Sequence, residues 1–477
     1  ENTRRASIEV SALPTANLER RLSQLLAYPY GCTEQIVSQA FAQLYLDQVN
    51  QIGQAQNQSR RINIEGTIRQ LSERQLSSGG FTYWPGSAYY NEWVDVYAVH
   101  FLILAEQEGF AVPSIMMKNA LKNQKQKATA WRSEYLGKKL TNDVVQAYRL
   151  FTLALTGNPL FNAMNRLREA EGISLQSAHL LAAAYQLAGQ KEAARQLALG
   201  KYNYKNKDYG FAMDFGSPTR DKAIKAIVLI TLGEPVLAFP LVKELSESLN
   251  SAEFMSTQTT AFALNAWQLY AKNNPLAGKL SFKIGGEKAN DIIIKNAVYQ
   301  EDIPLNSFPY RIKNTGEAPL YLSLTNSGIE ASGPGTSLQK GIELQVNFTD
   351  DQGKTLDPQQ ITQGTSFNMH TTVSNFSGRD LNFLALSQLA AACWEILNDD
   401  FGEKSENGEN VFDDRRDDRI IRYFDLKAGQ SKTYTLHLLA AYEGSYLLPA
   451  QRCEAMYDNE VMTILPGKKV EVKSKLD

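Results

Sequence analysis

The 477-residue sequence predicts a multidomain chain of α and β parts, with a helical region first and β-structure after it. Three observations carry this reading. Apolar residues recur at helical spacing from about residue 15 to about residue 272, and strict alternation takes over after NNPLAGK (273–279). A short alternating stretch, SIEVSAL with Ile8 and Val10, stands alone ahead of the helices. A chain this long exceeds one hydrophobic core, so roughly two to four domains are expected.

The helical elements are legible one by one. In WVDVYAVHFLILAEQ, the residues Trp93, Val96, Tyr97, His100, Phe101 and Leu104 line one face of a helix. Val144, Tyr148, Phe151 and Leu155 repeat the period, as do Ile224, Ile227 and Val228. Short helices joined by Gly, Pro and Asn suggest stacked antiparallel pairs. A Gly-Phe turn feeding a helix occurs twice, in GFTYWPG from Gly80 and GFAMDFG from Gly210, as expected of a repeated hairpin whose loops share one side.

The strands follow. Leu280, Phe282 and Ile284 alternate with polar residues, then Leu320, Leu322 and Leu324, then Ile342, Leu344 and Val346, then Tyr434, Leu436 and Leu438. The turn-rich SGIEASGPGTSLQKG (327–341) divides a smaller β piece from a sandwich of ordinary domain size. Pairing of the lone N-terminal strand with the β piece would make the helical domain an insertion.

Composition excludes more than it selects. A formal net charge of −2, from 49 basic and 51 acidic residues, offers no footprint for nucleic acid or an anionic membrane. No apolar run of about 18 residues is present, and ENTRRASIEV lacks the pattern of a signal peptide, so the chain reads as a soluble piece of something longer. The acidic tract at 398–418 lacks the ordered ligand spacing of a calcium loop, and no metal or cofactor is expected.

Three cysteines, Cys32, Cys393 and Cys453, are the informative count. In an oxidising compartment Cys393 and Cys453 would pair, which requires Cα atoms within about 7 Å, and Cys32 would remain as a reactive thiol. Cys32 sits in YPYGCTEQ (28–35) with Gln35 three positions on, a spacing that puts both side chains on one side of a helix's first turn. A thiol held against a carboxamide can displace ammonia and leave an internal thioester. Pro29 and Gly31 allow a tight backbone before a helix starting near Thr33, whose N-terminus favours developing negative charge.

GCTEQ resembles the GC-x-EQ thioester signature of the alpha-2-macroglobulin and complement family, and YPYGCTEQ resembles its bacterial branch. GGFTYWPG (79–86), DVYAVHFLILAEQEG (95–109), AYRLFTLALTG (147–157), STQTTAFAL (256–264) and AMYDNEV (455–461) agree with that branch, in order along most of the chain. The resemblance implies an α/α toroid thioester domain (15–273) inserted in a CUB-like β domain (1–14 and 274–335), followed by a C-terminal macroglobulin-like, immunoglobulin-like β-sandwich (336–477). It also implies the C-terminal portion of a larger protease inhibitor, with further macroglobulin-like domains and a cleavable bait region upstream.

On this resemblance the reaction is single-use rather than enzymatic turnover. An amine of an attacking protease takes the acyl group of Gln35 and frees Cys32. Pro29, Tyr30, Gly31 and Glu34 support the motif, while Tyr28, Met456 and Tyr457 shield the bond from water. The expected setting is the periplasm or cell envelope, with a membrane anchor on the full-length protein and a periplasmic cell-wall synthesis protein as a partner. Complement proteins that favour hydroxyl targets use a later histidine. No histidine stands in the matching neighbourhood near Asn142 to Tyr148, which implies direct attack by amines.

Other readings stand beside this one. A free cysteine is commonly a small buried hydrophobe. A cysteine hydrolase or transglutaminase-like nucleophile needs a histidine base, and His100, His179, His370 and His437 form no evident constellation. The Gly-rich turns also resemble those of terpene cyclases and prenyltransferases, yet no DxDD motif or zinc set accompanies them. A thioester adhesin, tethering to host amines, is the alternative function.

Overall fold

A computed structural model of the chain describes residues 4–28, 30–50, 53–87, 90–135, 138–139, 142–200, 214–274, 280–285, 291–294, 296–304, 311–317, 319–328, 337–397 and 412–475. Pro29, the tract 275–279, the turn-rich 329–336, most of the acidic tract (398–411) and the start of GFAMDFG lie outside them. The chain divides into two compact units, residues 1–329 and 330–477.

Helices among the described residues of the first unit are α1 (Leu18–Leu26), α2 (Thr33–Phe41), α3 (Leu46–Val49), α4 (Gln54–Arg74), α5 (Glu92–Gln107), α6 (Ser114–Ala130), α7 (Asp143–Leu155), α8 (Phe161–Glu169), α9 (Leu175–Leu187), α10 (Lys191–Leu199), α11 (Pro218–Thr231), α12 (Pro235–Asn250) and α13 (Thr257–Asn273). Their packing closes a ring, in which α2 meets α5, α5 meets α7, α7 meets α9, α9 meets α11, α11 meets α13, and α13 returns to α2. The intervening helices α1, α4, α6, α8, α10 and α12 pack against that ring. This is an α/α toroid.

The ring explains a departure from the single-face expectation. In α5 every residue from Trp93 to Ala105 is buried, because an inner helix meets ring neighbours, outer helices and the toroid axis at once. An outer helix such as α4 buries only Arg60, Ile64, Thr67, Ile68, Leu71 and Arg74. Several inner helices start on polar caps: Asn91, Ser174, Ser217 and Ser256 each accept from a backbone N–H of the first turn.

The strand β1 (Arg5–Ser11) lies antiparallel between two strands that follow the helices in sequence, β6 (Val298–Ile303) and β8 (Tyr321–Ser327). The helical domain is therefore inserted between strands of one sheet. A small hairpin, β2 (Glu134–Tyr135) with β3 (Lys138–Lys139), interrupts the helices. A second sheet, with β4 (Leu280–Ile284) between β5 (Asp291–Ile294) and β7 (Ile312–Asn314), completes the β piece. Ala6, Ile8, Val10, Leu280, Phe282, Ile294 and Ile303 share its core. Leu322 and Leu324 depart from the inward face that alternation suggested, at 50% and 58% exposed. The opposite face of β8 is turned to the helices, where Thr325 Oγ1 donates to Asn17 Oδ1 at 3.1 Å.

The second unit is a β-sandwich. One sheet runs β10 (Ile342–Thr349), β12 (Ser366–Asn375), β17 (Ser431–Ala440), β14 (Trp394–Ile396). The other runs β15 (Phe412–Arg415), β16 (Arg419–Leu426), β13 (Leu381–Leu389), β19 (Gln451–Ala455), β20 (Asp458–Leu465), β9 (Leu338–Lys340), and β11 (Ile361–Thr362), β21 (Lys468–Lys473) and β18 (Gly444–Leu448) form a small third sheet.

The expected disulfide is corrected here, because Cys393 and Cys453 are both free and buried. Cys393 packs in a cluster with Phe348, Phe367 and Trp394, whereas Cys453 packs in another with Leu384, Phe424 and Val461. Each behaves as a small core hydrophobe, and burial raises both thiols above the ordinary cysteine value. Counting cysteines carried no information about which cluster each would enter.

Candidate functional site

The turn before α2 places the two residues singled out by the motif. Cys32 is the N-cap residue, with extended backbone, and Gln35 is the third helical residue. They form a capping box in which the Cys32 side chain faces the Gln35 N–H and Gln35 Oε1 accepts from the Cys32 N–H at 3.4 Å. Both are fully buried, at 0% exposure. The sulfur and the carboxamide thus share one helical turn, away from water.

Residues to which the sequence reading assigned no chemical step hold this turn. The Thr33 N–H donates to the Tyr83 carbonyl at 2.9 Å, and Thr33 Oγ1 donates to the Thr82 carbonyl at 2.6 Å. The GGFTYWPG loop is therefore the second wall of the site. The Glu34 carboxylate, also fully buried, accepts from Ser38 Oγ at 2.7 Å and from Thr257 Oγ1 at 3.1 and 2.9 Å, which ties α2 to the first turn of α13. At the end of α4, Arg74 Nη1 donates to Thr33 Oγ1 at 3.0 Å and Nη2 to the Gly31 carbonyl at 2.8 Å. Burial lowers the Arg74 guanidinium from its usual value, opposed by charge interaction with Cys32 and Glu73.

The loop wall is built as tightly as the turn. Gly79 adopts φ +92°, and a Cβ there would lie 2.2 Å from the Asn119 carbonyl oxygen, so only glycine fits. Asp95, buried in the first turn of α5, accepts from the Phe81 N–H at 2.9 Å and from Gln124 Nε2 at 2.6 Å, with Tyr90 and Asn123 completing its shell. Phe215, from the second Gly-Phe turn, stacks on Tyr83 with ring centroids 6.0 Å apart.

The remaining expected residues are placed as follows. Tyr28 is half-buried and meets the buried Tyr30 edge-on, centroids 5.0 Å apart. Pro29 lies outside the described residues. Gly31 has no positive φ and open space where a Cβ would sit, and its carbonyl accepts from Arg74 Nη2. In the second unit, the buried Met456 follows β19 and donates its N–H to the Phe383 carbonyl at 3.0 Å. Tyr457 is half-buried and edge-on to Phe383 at 5.6 Å, and Phe383 itself has a left-handed φ of 58° beside a bulge in β13. Among the described residues no three His, Cys, Asp or Glu gather as a metal site.

His100 is inside the toroid wall, its Nδ1 2.8 Å from the Tyr148 hydroxyl. Burial depresses it to about 3, and His179 to about 4. A buried neutral histidine leaves the unfolded state to take up the proton as pH falls below about 6.5, so this stability is present above that pH and lost on acidification. Relative to His100→Asn, the wild type should lose about 1.4 kcal/mol of stability per pH unit between about pH 6 and 4. Urea unfolding of both proteins across that range checks it; parallel curves would show that His100 does not titrate on unfolding.

Comparison with known proteins follows the same division. Residues 6–156 match the family model described as A-macroglobulin TED domain, and residues 341–460 match the bacterial alpha-2-macroglobulin MG10 domain. The chain is 24% identical over 499 residues to an alpha-2-macroglobulin homolog of Yersinia pestis, covering 94% of this chain and 24% of that protein. It is 25% identical over 488 residues to alpha-2-macroglobulin of Escherichia coli strain K12, covering 94% and 28%. It spans about a quarter of the length of these relatives. Native E. coli alpha-2-macroglobulin, from domain MG7 to the C-terminus, superposes with a TM-score of 0.81 at 20% identity over 99% of this chain and 78% of that one. A Salmonella alpha-2-macroglobulin reacted with methylamine gives 0.82 at 21%, over 99% and 32%. At these identities the superpositions establish the fold.

Toroid, inserted β piece and sandwich together define a macroglobulin-type TED domain followed by an MG10 domain. The chain belongs to the alpha-2-macroglobulin family, in its bacterial branch.

Proposed function

We propose that Cys32 and Gln35 are joined by an internal thioester, and that the chain is the thioester-bearing C-terminal part of a bacterial alpha-2-macroglobulin that captures attacking proteases. The observation that carries this is the capping box at the start of α2, which buries the sulfur and the carboxamide in one turn. In bond formation Cys32 Sγ attacks Gln35 Cδ, the C–N bond breaks, and ammonia leaves with the thiol proton. Oε1 remains as the acyl oxygen, and the Cys32 N–H directed at it is placed to steady the oxyanion. In capture, an amine nitrogen attacks Cδ, the C–S bond breaks, the electron pair goes to Sγ, and the amine proton passes to solvent.

Such a bond survives only if it stays dry. Tyr28, which meets Tyr30 edge-on, is the cover this reading assigns within the first unit. With His100 neutral and bonded to Tyr148, attack by amines is direct. Upstream macroglobulin-like domains, a bait region, a membrane anchor, the periplasm and a cell-wall synthesis partner belong to the same reading; what supports it is that the bacterial relatives are about four times as long as this chain.

Intact mass tests it. Freshly purified protein should be lighter than its sequence by one ammonia, and methylamine should add at Gln35 while freeing the Cys32 thiol. A mass equal to the sequence, with Cys32 open to alkylation in the native protein, overturns it.

A further inference from the structure

Arg74 is a buried cation with no carboxylate among its hydrogen-bond partners; its chain neighbour Glu73 acts on it through charge alone, after the larger effect of Cys32. Its residue is 6% exposed, and its hydrogen bonds go to two neutral acceptors, the Gly31 carbonyl and the Thr33 hydroxyl. Among the described residues it makes no ion pair. Burying a guanidinium on neutral oxygens alone is costly unless a negative charge is supplied close by. The two acceptors flank Cys32 in sequence, so the guanidinium spans the backbone segment that carries the sulfur. Arg74 is also held from behind, since its own carbonyl accepts the Thr82 N–H at 3.1 Å in the loop that clasps Thr33. Backbone and guanidinium are thus each anchored, the guanidinium on the residues either side of Cys32.

We propose that Arg74 is a positioning residue for the acyl transfer, supplying the positive charge that stabilises the Cys32 thiolate as the C–S bond breaks. This rests on the thioester reading above. The same charge serves both directions. When the bond forms it favours Cys32 as a thiolate nucleophile toward Gln35 Cδ, and when an amine attacks it receives the departing electron pair on Sγ. The charge interaction between Arg74 and Cys32 noted above agrees with that placement. The helix N-terminus of α2 adds to the same effect, although many helices have one and few cap it with a cysteine.

The test reads the thiolate itself. Ultraviolet thiolate absorbance is followed against pH in methylamine-treated wild type, Arg74→Lys and Arg74→Met, each corrected with its Cys32→Ala counterpart to remove Cys393 and Cys453. Arg74→Met should raise the Cys32 midpoint by about one pH unit and slow methylamine uptake about tenfold, whereas Arg74→Lys should restore most of both. A residue that merely braced the turn would alter stability and leave the midpoint unmoved in all three proteins, and that result overturns the proposal. If Arg74→Met does not fold, the Lys variant is compared with wild type and with Arg74→Gln, and coincident midpoints overturn it equally. Should wild type carry no mass deficit, the thioester reading fails, while the titration still decides whether Arg74 stabilises the thiolate.

Discussion

Replacing Cys32 by alanine should return the mass of the chain to the value of its sequence and abolish methylamine uptake at Gln35. The effect is all or none, because without sulfur there is no acyl donor, and a free carboxamide does not exchange with methylamine at useful rates. The fold should survive. Cys32 contributes a small side chain and a weak cap, and its truncation costs about 1 kcal/mol. The Gln35 carboxamide would keep its bond to the residue 32 N–H, so α2 retains its start. Methylamine incorporation is measured by intact mass and by peptide mapping of residues around Gln35. Uptake by the alanine variant at the wild-type level would place the reactive group elsewhere and end the assignment of this turn.

Arg220→Met should destabilise the first unit by roughly 3–5 kcal/mol, the usual cost of breaking a buried ion cluster from one side. Arg220 is fully buried at 0% exposure. It donates to Asp214 Oδ2 at 3.0 Å, to Asp221 Oδ1 at 2.6 Å, and to Gln258 Oε1 at 3.0 Å, and its guanidinium lies over the Trp93 ring at 4.4 Å. Methionine fills much of the volume but removes the cation that the two buried carboxylates share. Adding Asp214→Asn and Asp221→Asn should recover much of the loss, because the remaining amides carry no charge. Urea unfolding of the single and triple variants checks both statements, and a single variant within about 1 kcal/mol of wild type would refute the ion-cluster account. The consequence reaches the site, since Asp214 precedes the Phe215 that stacks on Tyr83, and the Tyr83 carbonyl holds Thr33.

How much of this was legible beforehand depends on the range of the interaction concerned. The Cys32–Gln35 relation is local, three residues along one turn, and needs nothing beyond helical geometry. Asp95 and Thr257 lay inside stretches noted for resemblance, with no task attached, because their partners are the Phe81 N–H and the Glu34 carboxylate, far away in sequence. Arg74 gave no signal at all. It closes a charged outer helix that reads as solvated, and only the return of the chain past Gly31 makes it a buried cation. The cysteine pair failed for the same cause, since two separate apolar clusters claimed the two thiols.

Amino-acid order alone determined the sequence of helices and strands, the lone strand ahead of them, and the meeting of sulfur and carboxamide at one helix start. These rest on periodicity and spacing, which act within a few residues. Closure of the ring decided the rest: which helices are inner and buried all round, that Thr33 and Glu34 are clasps rather than reactants, and that a guanidinium lies beside Cys32. Those outcomes depend on burial and charge shared between segments distant in sequence, and such terms exist only once the toroid has closed.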